Sequence, residues 1–268
     1  MGFLRGRTLK RGSKETESPW REPNRFLLGG HGNPLLFQKK RVPADTENML
    51  NIKAAIEELG LLPLFRSRAA GWSVEEMFPQ ARWWTGTQDD PWQLRVALSA
   101  DPDVVYAKLF DGKAGFVHRR FYADLLNLRR DGYDFDTLVD EGRVPLKERK
   151  LMQAAEEAGE AAFSHMLKRS AGFQKGGLSG FDAVSASLQQ KCYLLVSGFG
   201  RKRDKFGREY GWEIGILDTP ERRFGPEFIE NAYSIEPEES FERLAAHLHR
   251  VLPGADREAV EAIVRGER

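Results

Sequence analysis

The chain is short of the residues that hold small secreted proteins and metal centres together. It has one cysteine, Cys192, in 268 residues, so no internal disulfide can form and no zinc site can be assembled from thiolates. A reducing compartment suits such a chain, and a cytoplasmic location is expected. Long apolar runs are also missing. No stretch approaches the roughly 18 apolar residues of a membrane span, and the basic N-terminus has no apolar segment behind it of the kind a secretion signal carries. A membrane partner is therefore not expected. Histidine is scarce too, with five in the chain. His247 and His249 stand at i and i+2, on nearly opposite sides of a helix, and cannot share one ion. His118 and His165 read as structural or surface residues, so no metal and no cofactor is expected. Gly176-Gly177-Leu178-Ser179-Gly180 lacks the Gly-Lys-Ser/Thr ending of a phosphate loop, and Gly29-Gly30-His31-Gly32 precedes Pro34 rather than a strand-to-helix unit. Nucleotide hydrolysis is left without support. The serines, histidines and acids are too unpatterned to nominate a catalytic triad.

What is present is enough apolar material for a packed core, 41% hydrophobic and 11% aromatic, which excludes disorder of the whole chain and suits two small domains as well as one large one. The net charge of +1 conceals an asymmetry. Residues 1–41 carry ten Lys and Arg against Glu15, Glu17 and Glu22, an excess of seven, which leaves −6 for the remainder. A basic segment on a mildly acidic body can add sequence-independent attraction to phosphates. Its poverty in periodic apolar residues equally fits a flexible, solubilising extension. Residues 1–45 are set apart as such an extension.

The first structural pattern runs from Thr46 to Leu59, where Met49, Leu50, Ile52, Ile56 and Leu59 form a helical stripe and Gly60 supplies a left-handed stop. Ser73 and Glu76 are spaced as a capping box. Asp90-Pro91 reads as an N-cap and an N1 proline, which predicts a helix over 92–100. Residues 104–110 and 115–118 flank a turn and predict a hairpin, and Phe121, Tyr122, Leu125 and Leu128 put an apolar stripe on a helix ending near Arg130. The polar stretch 131–143, with Gly132 and Gly142, is the expected domain boundary. Beyond it the spacing predicts helices over 146–157 and 161–168, then a third capped by Ser179. That third helix buries Phe181, Val184 and Leu188 and turns Asp182, Ser185 and Gln189 outward. Strands over 193–197 and 210–217 bracket a basic turn. Three helices followed by a basic-tipped hairpin is the element order of a winged helix. Helices over 238–251 and 257–265, separated by Pro253-Gly254 and capped by Asp256, are expected to pack on the second domain. The expected fold is thus α+β and mostly helical: tandem winged-helix domains over 46–132 and 133–235 with β-hairpin wings, followed by C-terminal helices over 236–268.

Several stretches together carry a resemblance to a known family. They are Trp83-Trp84-Thr85-Gly86, Asp89 to Arg95, Tyr106 to Phe110 with Gly112 to Phe116, Arg129 to Phe135, Leu188-Gln189, and Arg201-Lys202-Arg203 running to Tyr210-Gly211-Trp212. Over roughly residues 48–235 the chain resembles the bacterial AlkZ-related proteins, and residues 240–255 resemble the C-terminal helices of that wider group. The resemblance implies tandem winged-helix architecture and kinship with glycosylases that release alkylated bases from DNA, including bases in interstrand crosslinks. It also implies a Gln-x-Gln or Gln-x-Asp motif with an apolar centre, which positions water against C1′ of a flipped nucleotide. In this chain Gln189-Gln190 lacks the spacer, and Gln88-Asp89-Asp90 has the Gln-x-Asp spacing with a charged centre.

Each candidate site has a competing structural reading. Trp83, Trp84 and Trp92 could stack an extruded base, Gln88 or Asp89 could orient water as catalytic residues, and Arg95 could hold a phosphate. Capping accounts equally for Asp90, core burial for the tryptophans, and a solvated turn for Asp89. Arg201, Lys202, Arg203, Lys205 and Arg208 read as contacts to a DNA backbone, or as an ordinary solvated hairpin tip. Gln189 could touch base edges or phosphates. The expectation is a monomer that binds double-stranded DNA. It acts in repair as a glycosylase on alkylated bases, or is a non-catalytic module on the same scaffold, or is a protein-interaction scaffold.

Overall fold

The computed structural model describes residues 44–267 except Gln88, with no side chain described for residues 44–48. Residues 1–43, with the glycines of the N-terminal extension, therefore lie outside the described residues, while Ala44 and Asp45 already belong to the first helix. Helix α1 (Ala44–Leu59) ends at Gly60, whose φ of +77° supplies the left-handed stop. Strand β1 (Leu61–Pro63) follows, then the single-turn helix α2 (Val74–Met77), helix α3 (Pro91–Ala100), and the hairpin of β2 (Val104–Phe110) and β3 (Lys113–His118). Strand β1 pairs with β3 through Leu61–Val117, Leu62–Phe116 and Pro63–Gly115. The expected capping box is modified: Ser73 Oγ donates to Glu76 Oε2 at 2.7 Å, and the other carboxylate oxygen accepts Gly71 N at 2.9 Å.

Helix α4 (Arg119–Arg130) and the short α5 (Phe135–Asp140) come next, and then the same order of elements returns. Helix α6 (Leu146–Glu157) is followed by the two-residue strand β4 (Ala162–Phe163), α7 (Ser164–Ser170), α8 (Phe181–Gln190), and the hairpin of β5 (Leu195–Arg203) and β6 (Glu209–Asp218). Strand β4 pairs with β6, as β1 pairs with β3. Helix–strand–helix–helix–strand–strand thus occurs twice, and each copy closes a three-stranded ladder.

The stretch 131–143 lies between the two copies. Strands β2 and β5 pair through Tyr106 and Val196, joining the ladders into one antiparallel sheet of order β1-β3-β2-β5-β6-β4. The described residues accordingly fall within one compact unit. Gly180, not Ser179, occupies the N-cap of α8. The hairpin is longer than its polarity suggested: strand geometry persists through Arg201-Lys202-Arg203, leaving only residues 204–208 as the turn. Cross-strand ion pairs, described below, let exposed charged residues stay extended.

Two short helices absent from the sequence-based expectation, α9 (Pro220–Phe224) and α10 (Pro226–Ala232), lead to α11 (Pro237–Val251) and α12 (Arg257–Arg265). The last two pack on the first half of the chain instead of the second. Helix α11 lies on α4 and α1, and α12 on α4. Asn127 Nδ2 donates to Ser240 Oγ at 3.0 Å and Ile235 O at 2.9 Å, and His247 Nε2 donates to Glu58 O at 3.1 Å. The buried stripe Phe241, Leu244 and Leu248 is matched there by Tyr122, Leu125 and Leu126 on α4.

Candidate functional site

The loop before α3 is built on Asp90. Its carboxylate, fully buried, accepts Trp92 N at 2.9 Å and Gly86 N at 3.1 Å, so one side chain caps the helix and ties down the loop. That anchoring gathers aromatic rings. Trp84 lies 4.7 Å from Trp92 and 6.0 Å from Trp83, and Phe65 lies 5.9 Å from Trp83. Trp83 is buried, whereas Trp84 is half exposed and held at φ +64°, a strained value for so bulky a residue. Asp89 lies 3.9 Å from Arg82 across an ion pair. Gln88 falls outside the described residues.

Arg95, the candidate phosphate contact, is turned into the fold. It is 4% exposed, with its guanidinium 3.7 Å from the centre of the Trp92 ring and 4.5 Å from that of Phe199 on β5. It donates to Trp92 O and sits 3.7 Å from Glu213 on β6. Burial lowers its pKa, and Tyr106, Glu213 and Asp90 oppose that shift. Burial also pushes the neighbouring Tyr106 hydroxyl up to about 12.

Gln189 behaves in the same way from the other copy of the repeated order. Expected to face outward, it is buried together with Ser185. Its Oε1 accepts Lys108 N on β2 at 3.0 Å, within the register shift between Ala107 and Phe110, and its Nε2 donates to Ser185 Oγ at 3.1 Å. In each copy, then, the helix before the hairpin sends one polar side chain across to the other copy's sheet. Helical spacing alone cannot reveal this, because the partner is distant in sequence.

The β5–β6 hairpin carries the expected cations, but most have counterions. Arg201 pairs with Glu213 at 3.0 Å, Arg203 with Glu209 at 3.2 Å, and Arg208 with Asp204 at 2.9 Å. Lys202 and Lys205 are exposed and have no carboxylate partner among the described residues. Asp204 also organises the turn, accepting Phe206 N at 2.8 Å and Arg208 N at 3.0 Å. These backbone and Arg208 hydrogen bonds outweigh desolvation and hold its pKa below the usual carboxylate range. Glu213 links the two groups of candidates, with Arg95 on one oxygen and Arg201 on the other.

The hairpin also presents aromatic rings that the sequence-based reading did not single out. Phe206 is 70% exposed, Tyr210 53% and Trp212 89%. The available signal was two aromatics around a glycine beside a basic turn.

A model of the AlkZ-related family matches residues 46–265. The chain belongs to the AlkZ-related family. The match spans both copies of the repeated element order and the C-terminal helices that pack against the first. No curated protein and no solved structure matches the chain. Among the described residues of this AlkZ-related protein no cluster of histidines, cysteines and acids could hold a metal ion, and no helix is long and apolar enough to cross a membrane.

Proposed function

We propose that this AlkZ-related chain is a DNA-binding protein that grips the backbone of duplex DNA with its β5–β6 hairpin. The observation that carries the reading is the state of charge along the hairpin. Arg201, Arg203 and Arg208 are neutralised by carboxylates, whereas Lys202 and Lys205 stand exposed without one among the described residues. An unpaired surface ammonium loses little on meeting a phosphate and releases counterions from the DNA. The twofold order of helix, strand, two helices and hairpin supports reading the chain as tandem winged-helix units with the second hairpin as the working wing. Because Arg95 and Gln189 are taken up between the two copies, the hairpin and not those helix positions would meet the DNA.

A second reading concerns chemistry. Asp89 sits in the loop that displays Trp84 against Trp92, their planes tilted at 47°, and the exposed Trp84 ring could receive an extruded base while the carboxylate orients water toward C1′. The test is incubation with alkylated duplex, scored for DNA binding and for released base. Base release that is abolished by Asp89→Asn with unchanged DNA affinity supports a repair glycosylase. Binding without release leaves a non-catalytic DNA-binding module. No binding to any duplex removes the DNA reading and favours a protein-interaction scaffold.

A further inference from the structure

The hairpin's exposed rings are not accounted for by backbone contacts. Phe206 lies 5.0 Å from the Lys205 ammonium and 5.2 Å from the Arg208 guanidinium, but Tyr210 and Trp212 touch no other ring and no cation among the described residues. Trp212 at 89% exposed is the most open large apolar side chain described. A folded chain keeps its largest aromatic surfaces in water only against the hydrophobic effect, so rings displayed in this way mark a contact surface.

The backbone is shaped for the display. Between the pairs Gly200–Ile214 and Lys202–Tyr210, the single residue Arg201 faces three, Gly211 to Glu213. Gly211 has φ +78°, a left-handed conformation that glycine adopts without strain and other residues rarely take, and nothing occupies the space where its Cβ would be. A bulge of this kind re-aims the side chains beside it. It sets Glu213 inward against Arg95 and Arg201 while Trp212 stands in solvent.

We infer that the hairpin is a stacking blade for unpaired bases, and that its preferred ligand is DNA with displaced or single-stranded nucleotides. The inference rests on the DNA-binding reading above and narrows its substrate. Every large apolar side chain exposed on the hairpin is aromatic, while the exposed aliphatic ones, Leu50, Leu146 and Met166, lie elsewhere. Flat rings interleaved with the uncovered Lys202 and Lys205 match a chain of bases on a phosphate backbone. In an intact duplex the base faces are already covered by their neighbours. Only unpaired nucleotides offer them to Tyr210 and Trp212.

The experiment compares the full chain with Trp212→Ala and Tyr210→Ala by fluorescence anisotropy on a labelled oligo(dT) strand, a matched duplex, and a duplex with a bulged nucleotide, together with sedimentation on anionic lipid vesicles. Both side chains are exposed, so melting temperatures should not change. The expected result is tighter binding of the strand and the bulged duplex than of the matched duplex. Trp212→Ala should lose about tenfold on the first two and little on the third. Equal affinity of the wild-type chain for all three DNAs, or an unchanged preference in both variants, overturns the blade and leaves the duplex-binding reading standing. Absence of binding to every DNA overturns both. Vesicle binding that Trp212→Ala abolishes, with DNA binding unaffected, assigns the rings to a lipid surface and overturns the inference.

Discussion

Arg95 and Gln189 show how a polar helix residue can be taken up inside the fold, Gln189 against the expectation that it faces outward. Both lie on the helix that precedes a hairpin, and both are consumed in joining the two copies of the fold: Arg95 to Phe199 and Glu213, Gln189 to the Lys108 amide. Removing a buried hydrogen-bonding partner strands the other one, at a cost of about 1–3 kcal/mol. Gln189→Ala should therefore lower stability by about that amount in denaturant titration while leaving DNA affinity of the folded protein unchanged. A surface residue reading bases would show the opposite pattern. Asp90 is the converse case, with a role that was legible because a cap is a local event. It accepts one amide from the helix and one from the loop, so Asp90→Ala should cost about 1–2 kcal/mol, visible as a lower melting temperature.

At the scale of elements, charged groups at helix ends carry much of the packing. Arg129 is half-buried, has no carboxylate partner among the described residues, and donates to the carbonyls of Ile263 and Val264 at the end of α12, Gln190 at the end of α8, and Leu109 on β2. A guanidinium suits the negative ends of two helices and can reach four acceptors through its planar fork. Arg129→Lys keeps the charge but cannot span them, and should destabilise the fold by about 2–4 kcal/mol and release α12, measurable by hydrogen exchange. Where α11 meets α1 and α4, His247 donates from Nε2 to Glu58 O, accepts Arg250 at Nδ1 at 2.9 Å, and lies 4.3 Å from the Phe121 ring at a tilt of 38°. Burial and the Arg250 charge lower its pKa despite that backbone hydrogen bond. A histidine with a depressed folded pKa contributes stability that is present above its unfolded value of about 6.5 and lost as pH falls through the folded value. Acidification below about pH 6.5 should weaken this contact, and the His247→Gln variant should flatten that limb of the stability profile.

At the scale of the molecule, the Asp90 and Asp256 caps, the α11 and α12 helices and the β2–β3 hairpin were legible because each is written in a short window: Asp256 before its helix, Asp90-Pro91 before α3, a turn between two apolar runs. The repeat of element order, which the resemblance implied as tandem units, is not written in any short window of residues. Its markers are the three-residue β1 and the two-residue β4, too short to show a period, and they become strands only by pairing with β3 and β6. The single sheet was hidden for the same reason, since one pair, Tyr106 with Val196, joins its halves. At the candidate site, the cations were legible and their neutralisation was not, because Glu209 and Glu213 oppose Arg203 and Arg201 across the hairpin rather than along it. With Arg208 held by Asp204 within the turn itself, two of the five cations, Lys202 and Lys205, are left without a carboxylate among the described residues. The proposed grip of Lys202 and Lys205 on the DNA backbone is tested most directly by duplex affinity against salt concentration for the wild-type chain and for Lys202→Ala/Lys205→Ala. The double variant should bind more weakly, and its log–log salt slope should be shallower by about 1.8, roughly 0.9 for each lost phosphate contact. An unchanged slope, or no binding by the wild-type chain at low salt, would contradict it.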